Sequence, residues 1–437
     1  MMSLTILFNK FSEKKKRIIS RCVWDIFSRK AISDVPIRDA LKEHGIFHNI
    51  LTVGNNIVVL SHECLSNLSK IVDLIYSENK LCSQITRGDI HRKLINTYKK
   101  WILEERGVDS EAFVDEIVSG IFSTVSTFNY LIPMDGIELK DIDKIIIGKF
   151  YIQRPDRQLF QQLNIDEQIG TKSSYNMFNA PYWIIGAVNG SPDASRAKFE
   201  RGVKIIVGMI AIYGCILYKT AFTESKVRTI DPPAHVSSTV HMLRWTDQYN
   251  NPSLSADYRF KQPLPFYLKD VEYFKKECFY DLMSACLEDK QLTQLQSAVY
   301  KSLYWMSDAY TEDNNVMCFV KLWTCIECFF SFDKNFKDMT KNLSAGMASI
   351  LTFAGYGIVK TDDYTEFKKK ITKLYGYRSK ALHTAKFDHI TSEHINELAQ
   401  LVSWLILSML ALVDRGYTSL GEVREQVIRL DNIMCRR

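Results

Sequence analysis

The sequence predicts a mainly α protein: a helical N-terminal region over residues 1–125, a mixed α+β region over 126–285 and a helical bundle over 286–437. Three observations predict it. Apolar residues recur at three- and four-residue spacings in both outer regions, which lines one face of a helix. Between them lie β-branched and aromatic runs that end on Pro, a strand texture. The length of 437 residues also exceeds what one hydrophobic core serves, so several domains are expected.

In the first region, apolar periodicity runs through Ile18 to Phe27, Leu65 to Ile75 and Leu94 to Leu103. Asp109, followed by Glu111 and another periodic run, marks a helix start. In the second, Lys144 to Ile152 reads as one strand stopped by Arg154-Pro155, and Pro181 to Ile185 as a second. Ser191-Pro192-Asp193 is a helix start with Ser as N-cap, Pro at the first helical position and a carboxylate at the positive end of the dipole. The Ile205 to Tyr218 run places that helix in a core. Residues 226–265 carry Pro232-Pro233 and Asn250-Asn251-Pro252 and read as a long loop or hairpin region. From about 290 the chain reads as helical to its end, with breaks at Gly355 to Gly357 and at Asp414 to Thr418.

At 46% hydrophobic and 24% charged residues the chain is globular rather than disordered. A net charge of +6 is compatible with nucleic acid without requiring it. The ten cysteines lack a framework spacing and read as reduced thiols of a cytoplasmic protein. Cys325 and Cys328 have C-x-x-C spacing inside an apolar helix, where packing is the expected role. The N-terminus has no secretory pattern, because Lys14 to Arg17 follow the apolar residues instead of preceding them. The apolar runs Ile205 to Tyr218 and Leu401 to Val413 are shorter than the roughly 18 to 20 residues a spanning helix needs, so no membrane partner is expected. There is no Walker A loop, no G-x-S-x-G elbow and no dinucleotide fingerprint, which argues against an ATPase or a serine hydrolase. His383, His389 and His394 match no common zinc spacing, and His44 and His48 have no evident companion, so neither a metal nor a cofactor is expected.

Two helices carry a charge inside an apolar stripe. Val316, Val320, Trp323, Glu327 and Phe330 are spaced 4, 3, 4 and 3 and share one face. Phe367, Ile371, Leu374 and Arg378 are spaced 4, 3 and 4. Burying either charge alone costs several kcal/mol, so mutual pairing is the economical solution; the alternative is that each reaches water separately at its stripe edge. An Arg paired to a carboxylate keeps further N–H donors for other partners. His383 follows Arg378 by five positions, about 140° around an uninterrupted helix. The two share a site only if the helix loosens near Ala381 to Thr384 or if a second chain contributes. Lys368, Lys369, Lys370 and Lys373, with Lys380 and Lys386 beyond, read either as a track for an RNA backbone or as an ordinary solvated face. Lys14 to Arg17 with Arg21 read as a solvated face.

Tyr377-Arg378-Ser379-Lys380-Ala381-Leu382-His383 resembles the R-x4–6-H signature of HEPN domains, and Leu322 to Phe330 resembles the upstream HEPN helix with its core-facing acid. Tyr375 and Tyr377 before Arg-Ser make the segment similar to the ApeA-like branch of bacterial anti-phage proteins. The resemblance covers about residues 290–437, with Ser392 to Val413 as the closing helix of the bundle; residues 1 to about 280 resemble no family. In place of the Asn, Asp or His that often follows the Arg, this chain has Ser379. The resemblance implies a metal-independent endoribonuclease of cellular RNA such as tRNA, acting in abortive infection as a cytoplasmic homodimer that answers a phage-derived trigger. It implies His383 as general acid or base, Arg378 on the scissile phosphate, Glu327 orienting Arg378, and Ser379 positioning a phosphate oxygen or His383. Lys370, Lys373, Tyr377 and Lys380 would contact RNA. The competing expectations are a non-catalytic RNA-binding or scaffold bundle and a regulatory partner of a separate toxin.

Overall fold

The computed structural model describes residues 8, 11–28, 32–33, 50–53, 56–77, 84–156, 158, 180–219, 221–229, 239–246, 249–258, 263–277, 280–287, 291–330, 339–384 and 389–436. Their architecture is mainly α. Helices dominate both ends of the chain, and the strands concentrate between them. Contacts divide the chain into two compact units, residues 1–129 with 187–199, and residues 130–186 with 200–437. The expected boundary at 285 is therefore not a division between these units.

The first unit holds α1 (Glu13–Ile26), β1 (Ile32–Ser33), β2 (Ile50–Val53), β3 (Asn56–Leu60), α2 (His62–Tyr76), α3 (Arg87–Leu103) and α4 (Ser110–Phe122). The three strands form an antiparallel sheet in the order β1-β3-β2, which the helical reading of this region did not contain. Ile19, Val23, Leu68, Ile71, Leu94, Phe113 and Ile117, the apolar faces of the four helices, make its core. Asp109 caps α4, its carboxylate accepting from the N–H groups of Glu111 and Ala112.

Strands β4 (Ser126–Asp135), β5 (Ile137–Leu139), β6 (Lys144–Ile147), β7 (Phe150–Gln153) and β8 (Tyr182–Gly190) follow, then α5 (Pro192–Leu217), the short α6 (Ala221–Glu224) and β9 (Arg228–Thr229). The sheet order is β6-β7-β8-β4-β9. Lys144 to Ile152 is not one strand but a hairpin, with Ile147 paired to Phe150 across a two-residue turn. Gly148 there has a φ of 57°, a conformation glycine adopts without a side-chain clash. Ser191 caps α5, its hydroxyl accepting from Ala194 N–H at 3.2 Å. Ile205, Ile206, Val207, Met209 and Ile210 of that helix are buried, as their unbroken apolar run requires. Gly208 sits where a Cβ would collide with the backbone carbonyl of Leu303, so the helix crossing there depends on glycine. Residues 226–265 contain the hairpin β10 (Thr239–Thr246) to β11 (Tyr249–Tyr258), then β12 (Leu264–Phe266), which pairs in parallel with β5.

The remainder is α7 (Leu268–Glu277), α8 (Tyr280–Ala285), α9 (Gln294–Tyr310), α10 (Asn315–Phe330), α11 (Met339–Phe353), α12 (Tyr364–Thr384), α13 (Ser392–Asp414) and α14 (Leu420–Met434). Helices α9, α10 and α13 pack together, and α11 bridges α12, α13 and α14. Apolar run and helix differ in length for α13. Leu401 to Val413 alone is short, but the whole helix has 23 residues and is long and apolar enough to cross a membrane by length and composition, while 72% of its apolar window is buried inside the fold. Ile395, Leu398, Val402, Leu405, Ile406 and Met409 fill the bundle core, and Ser403 is accommodated because its hydroxyl donates to Ala399 O at 2.8 Å.

Candidate functional site

Helix α10 starts at a capped end, where the Asn314 side-chain oxygen accepts from the N–H groups of Val316 and Met317. Trp323 and Glu327 follow four residues apart and share a face. Helix α12 is set by its first turns: Tyr364 OH donates to Asp431 at 2.8 Å, Lys368 Nζ lies 2.6 Å from the same carboxylate, and Ile371 and Leu374 are buried. From there the helix runs unbroken to Thr384.

Arg378 and Glu327 face each other, the paired arrangement of the two stripes. Nη2 lies 2.9 Å from Oε1, with side-chain exposures of 19% and 20%. That exposure decides the character of the pair: it is partly desolvated, so its attraction exceeds that of a surface ion pair while each charge still carries a hydration penalty. Burial pushes the Glu327 carboxyl above its ordinary value, and the nearby Arg378 guanidinium only partly offsets this. The close approach is not an aligned hydrogen bond: among the described residues neither Glu327 Oε1 nor Arg378 Nε has a hydrogen-bond partner. The guanidinium carbon lies 5.4 Å from the centre of the Tyr375 ring, and that ring meets the Trp323 ring edge-on at 5.1 Å.

His383 lies in the last turn of α12 and is exposed. Because the helix does not loosen between Ala381 and Thr384, Arg378 and His383 point about 140° apart within one chain. A loosened helix end therefore does not bring them together. Ser379 precedes His383 by four positions, so these two share a face, and Ser379 is half-buried.

Lys370, Lys373, Tyr377 and Lys380 are spaced 3, 4 and 3 along this uninterrupted helix and therefore line one face. The face is not a continuous free cationic track. Lys370 is ion-paired to Glu397 of α13. Lys368 is held by Asp431 and Lys369 by Glu366. Tyr377 packs against the His389 and His394 rings, at 5.7 and 5.4 Å between centroids. Lys373 and Lys380 are exposed. His394 is also engaged in the N-terminal cap of α13, its Nδ1 lying 3.0 Å from the Thr391 hydroxyl. The sequence pattern contained Tyr375 and Trp323 without revealing their contacts. Their spacing was the available signal, since each lies one turn before the charged residue it accompanies.

Cys325 is fully buried and Cys328 half-buried; burial pushes both thiols up, Cys328 to about 11, so neither is a ready thiolate at neutral pH. Among the described residues no group of three or more His, Cys, Asp and Glu side chains is arranged to hold a metal ion. His44, His48 and Lys386 lie outside the described residues. In the N-terminal basic patch, Lys16 pairs with Glu13, and Lys15 donates to the Ser77 hydroxyl at 3.0 Å. Comparison with protein-family models, with curated proteins and with solved structures finds no match for the chain.

Proposed function

We propose that the chain is a metal-independent endoribonuclease that cleaves cellular RNA, with tRNA as the first target to test, and that it acts in the cytoplasm as a homodimeric anti-phage effector released by a phage-derived trigger. One observation carries the reading: a carboxylate and a guanidinium meet inside the helical bundle at 2.9 Å, at the start of the R-x4-H segment, in a single close approach that leaves the Arg378 side chain 19% exposed. A structural ion pair would engage the fork more fully, whereas a phosphate-binding arginine must keep donors for its ligand.

In this mechanism the RNA 2′-oxygen attacks the adjacent phosphorus and the bond to the 5′-oxygen breaks. The products are a cyclic phosphate and a 5′-hydroxyl. His383 accepts the 2′-proton or returns one to the leaving oxygen, since imidazole does either near neutral pH. Arg378 holds the phosphate oxygens and stabilises the charge that develops on them. Glu327 orients Arg378, and Ser379, on the His383 face, positions the imidazole or a phosphate oxygen. Lys373 and Lys380, and Lys370 if RNA displaces Glu397, neutralise backbone phosphates, with Tyr377 beside them. The two chains of a dimer supply Arg378 and His383 to one cleft.

A second reading has its own support. The wide angle between Arg378 and His383 on one unbroken helix also suits a non-catalytic scaffold, in which Arg378 serves only Glu327. Purified wild type and His383→Ala, incubated with bulk bacterial tRNA in EDTA, separate the two. The nuclease reading expects cleavage by wild type, undiminished by EDTA, and a loss of about a hundredfold or more in the variant. Equal rates in the two proteins, or cleavage abolished by EDTA, would refute it.

A further inference from the structure

Arg378 is bounded on two sides. Nη2 lies 2.9 Å from Glu327 Oε1, and Cζ lies 5.4 Å from the centroid of the Tyr375 ring. The Tyr375 ring is in turn met by Trp323, at 5.1 Å and an interplanar angle of 76°. Trp323 and Glu327 sit one turn apart on α10, and Tyr375 and Arg378 one turn apart on α12. Two side chains from each helix thus interlock. Trp323 is fully buried, so its ring has little freedom and restrains the Tyr375 ring that it meets.

An ion pair alone does not set the direction of a guanidinium. Glu327 Oε1 receives no aligned N–H from its partner, so the carboxylate supplies attraction without fixing the guanidinium plane. The aromatic ring supplies what is missing. Its quadrupole attracts a cation to the ring face, and the contact is strongest when water is partly excluded, as it is here with Arg378 only 19% exposed.

We infer that Tyr375 is a positioning residue for Arg378: its ring, locked by Trp323, holds the guanidinium while Glu327 draws one nitrogen, so that the remaining N–H donors face one direction. This rests on the reading of Arg378 as the phosphate-binding group. The ring does this work and the hydroxyl does not. The benefit belongs to the transition state, where the direction of the donors matters most, and so falls on kcat rather than on KM.

The test uses full-length wild type, Tyr375→Phe and Tyr375→Leu, with cleavage of bulk bacterial tRNA followed across pH. Tyr375→Leu is expected to lower kcat about tenfold while KM stays within about twofold, and Tyr375→Phe to restore the rate to within about twofold of wild type. The pH profile keeps its shape in both. A Phe variant as impaired as the Leu variant, or a displaced pH profile, would overturn the inference, because the hydroxyl would then act chemically. A second arm needs no activity. Thermal unfolding is compared for Tyr375→Leu in the wild-type and in the Arg378→Met background. A smaller loss of Tm in the Arg378→Met background supports the ring–guanidinium contact, and an equal loss overturns it. A wild type that cleaves no RNA would refute the nuclease reading alone, since the unfolding arm still decides the contact.

Discussion

An acidic side chain that keeps only a fifth of its surface in water pays part of the cost of burial, and Glu327 meets that cost with Arg378 as its partner. The folded-state pKa of Glu327 is raised, with burial as the larger cause and the pull of Arg378 as the smaller. The sign of the linkage follows. A raised carboxyl binds its proton more readily in the folded chain than in the unfolded one, so stability is gained as pH falls through the folded pKa towards the ordinary value of 4.5. Wild type compared with Glu327→Gln should therefore gain relative stability as pH drops from 7.5 towards about 4.5. Tm measured for both proteins across that range checks it; a difference that moves the other way would mean that the attraction of Arg378 dominates. Removing the cation alone should be worse than removing both charges. Arg378→Met is expected to cost about 2 kcal/mol at neutral pH, and Glu327→Gln added to it to recover part of that loss, as measured by urea unfolding.

At the scale of elements, helix starts and stripes were legible and turns were not. Asp109 and Ser191 announced their helices because a short polar side chain can satisfy free N–H groups only at an N-terminus. The opposition of Glu327 and Arg378 was legible because two charges in apolar stripes have few compatible partners. The hairpin at Gly148 was read as one strand because β-branched and aromatic residues flank it on both sides, although its Gly148-Lys149 turn was the available signal. The three-stranded sheet of the first unit was also missed, its strands being short and flanked by helical periodicity. The engagement of Lys370 and Tyr377 by α13 depends on Glu397 and His394, 27 and 17 positions away, which local spacing cannot report. The Ser191 cap carries a second function. Its hydroxyl donates to the buried Asp89 carboxylate at 2.6 Å, and the same carboxylate accepts from Thr86 N–H and Oγ1. Burial alone would raise the Asp89 carboxyl, but the hydrogen bonds from Ser191 and Thr86, with Arg92 nearby, hold it below its ordinary value. Ser191→Ala should therefore cost about 1–3 kcal/mol, more than an exposed cap, because it removes both the helix cap and a partner of a buried charge. Urea unfolding reads that loss; a change under about 0.5 kcal/mol would show that neither the cap nor the contact with Asp89 stabilises the fold appreciably.

At the scale of the whole molecule, the unbroken course of α12 shapes the proposed chemistry. The segment Arg378 to His383 is contiguous in sequence yet presents its two ends to different directions. In the proposed mechanism, a dimer supplying Arg378 from one chain and His383 from the other would turn this divergence into a working site and make activity a property of the assembly. A site shared in this way predicts complementation between chains. Arg378→Ala and His383→Ala proteins are purified separately, each is assayed on bulk tRNA in EDTA, and the two are then mixed, unfolded and refolded together. Each variant alone should be inactive. The mixture should recover a substantial part of wild-type cleavage, because a mixed dimer contains one cleft with both native residues. A mixture as inactive as its components, beside an active wild type, would contradict a site shared between chains.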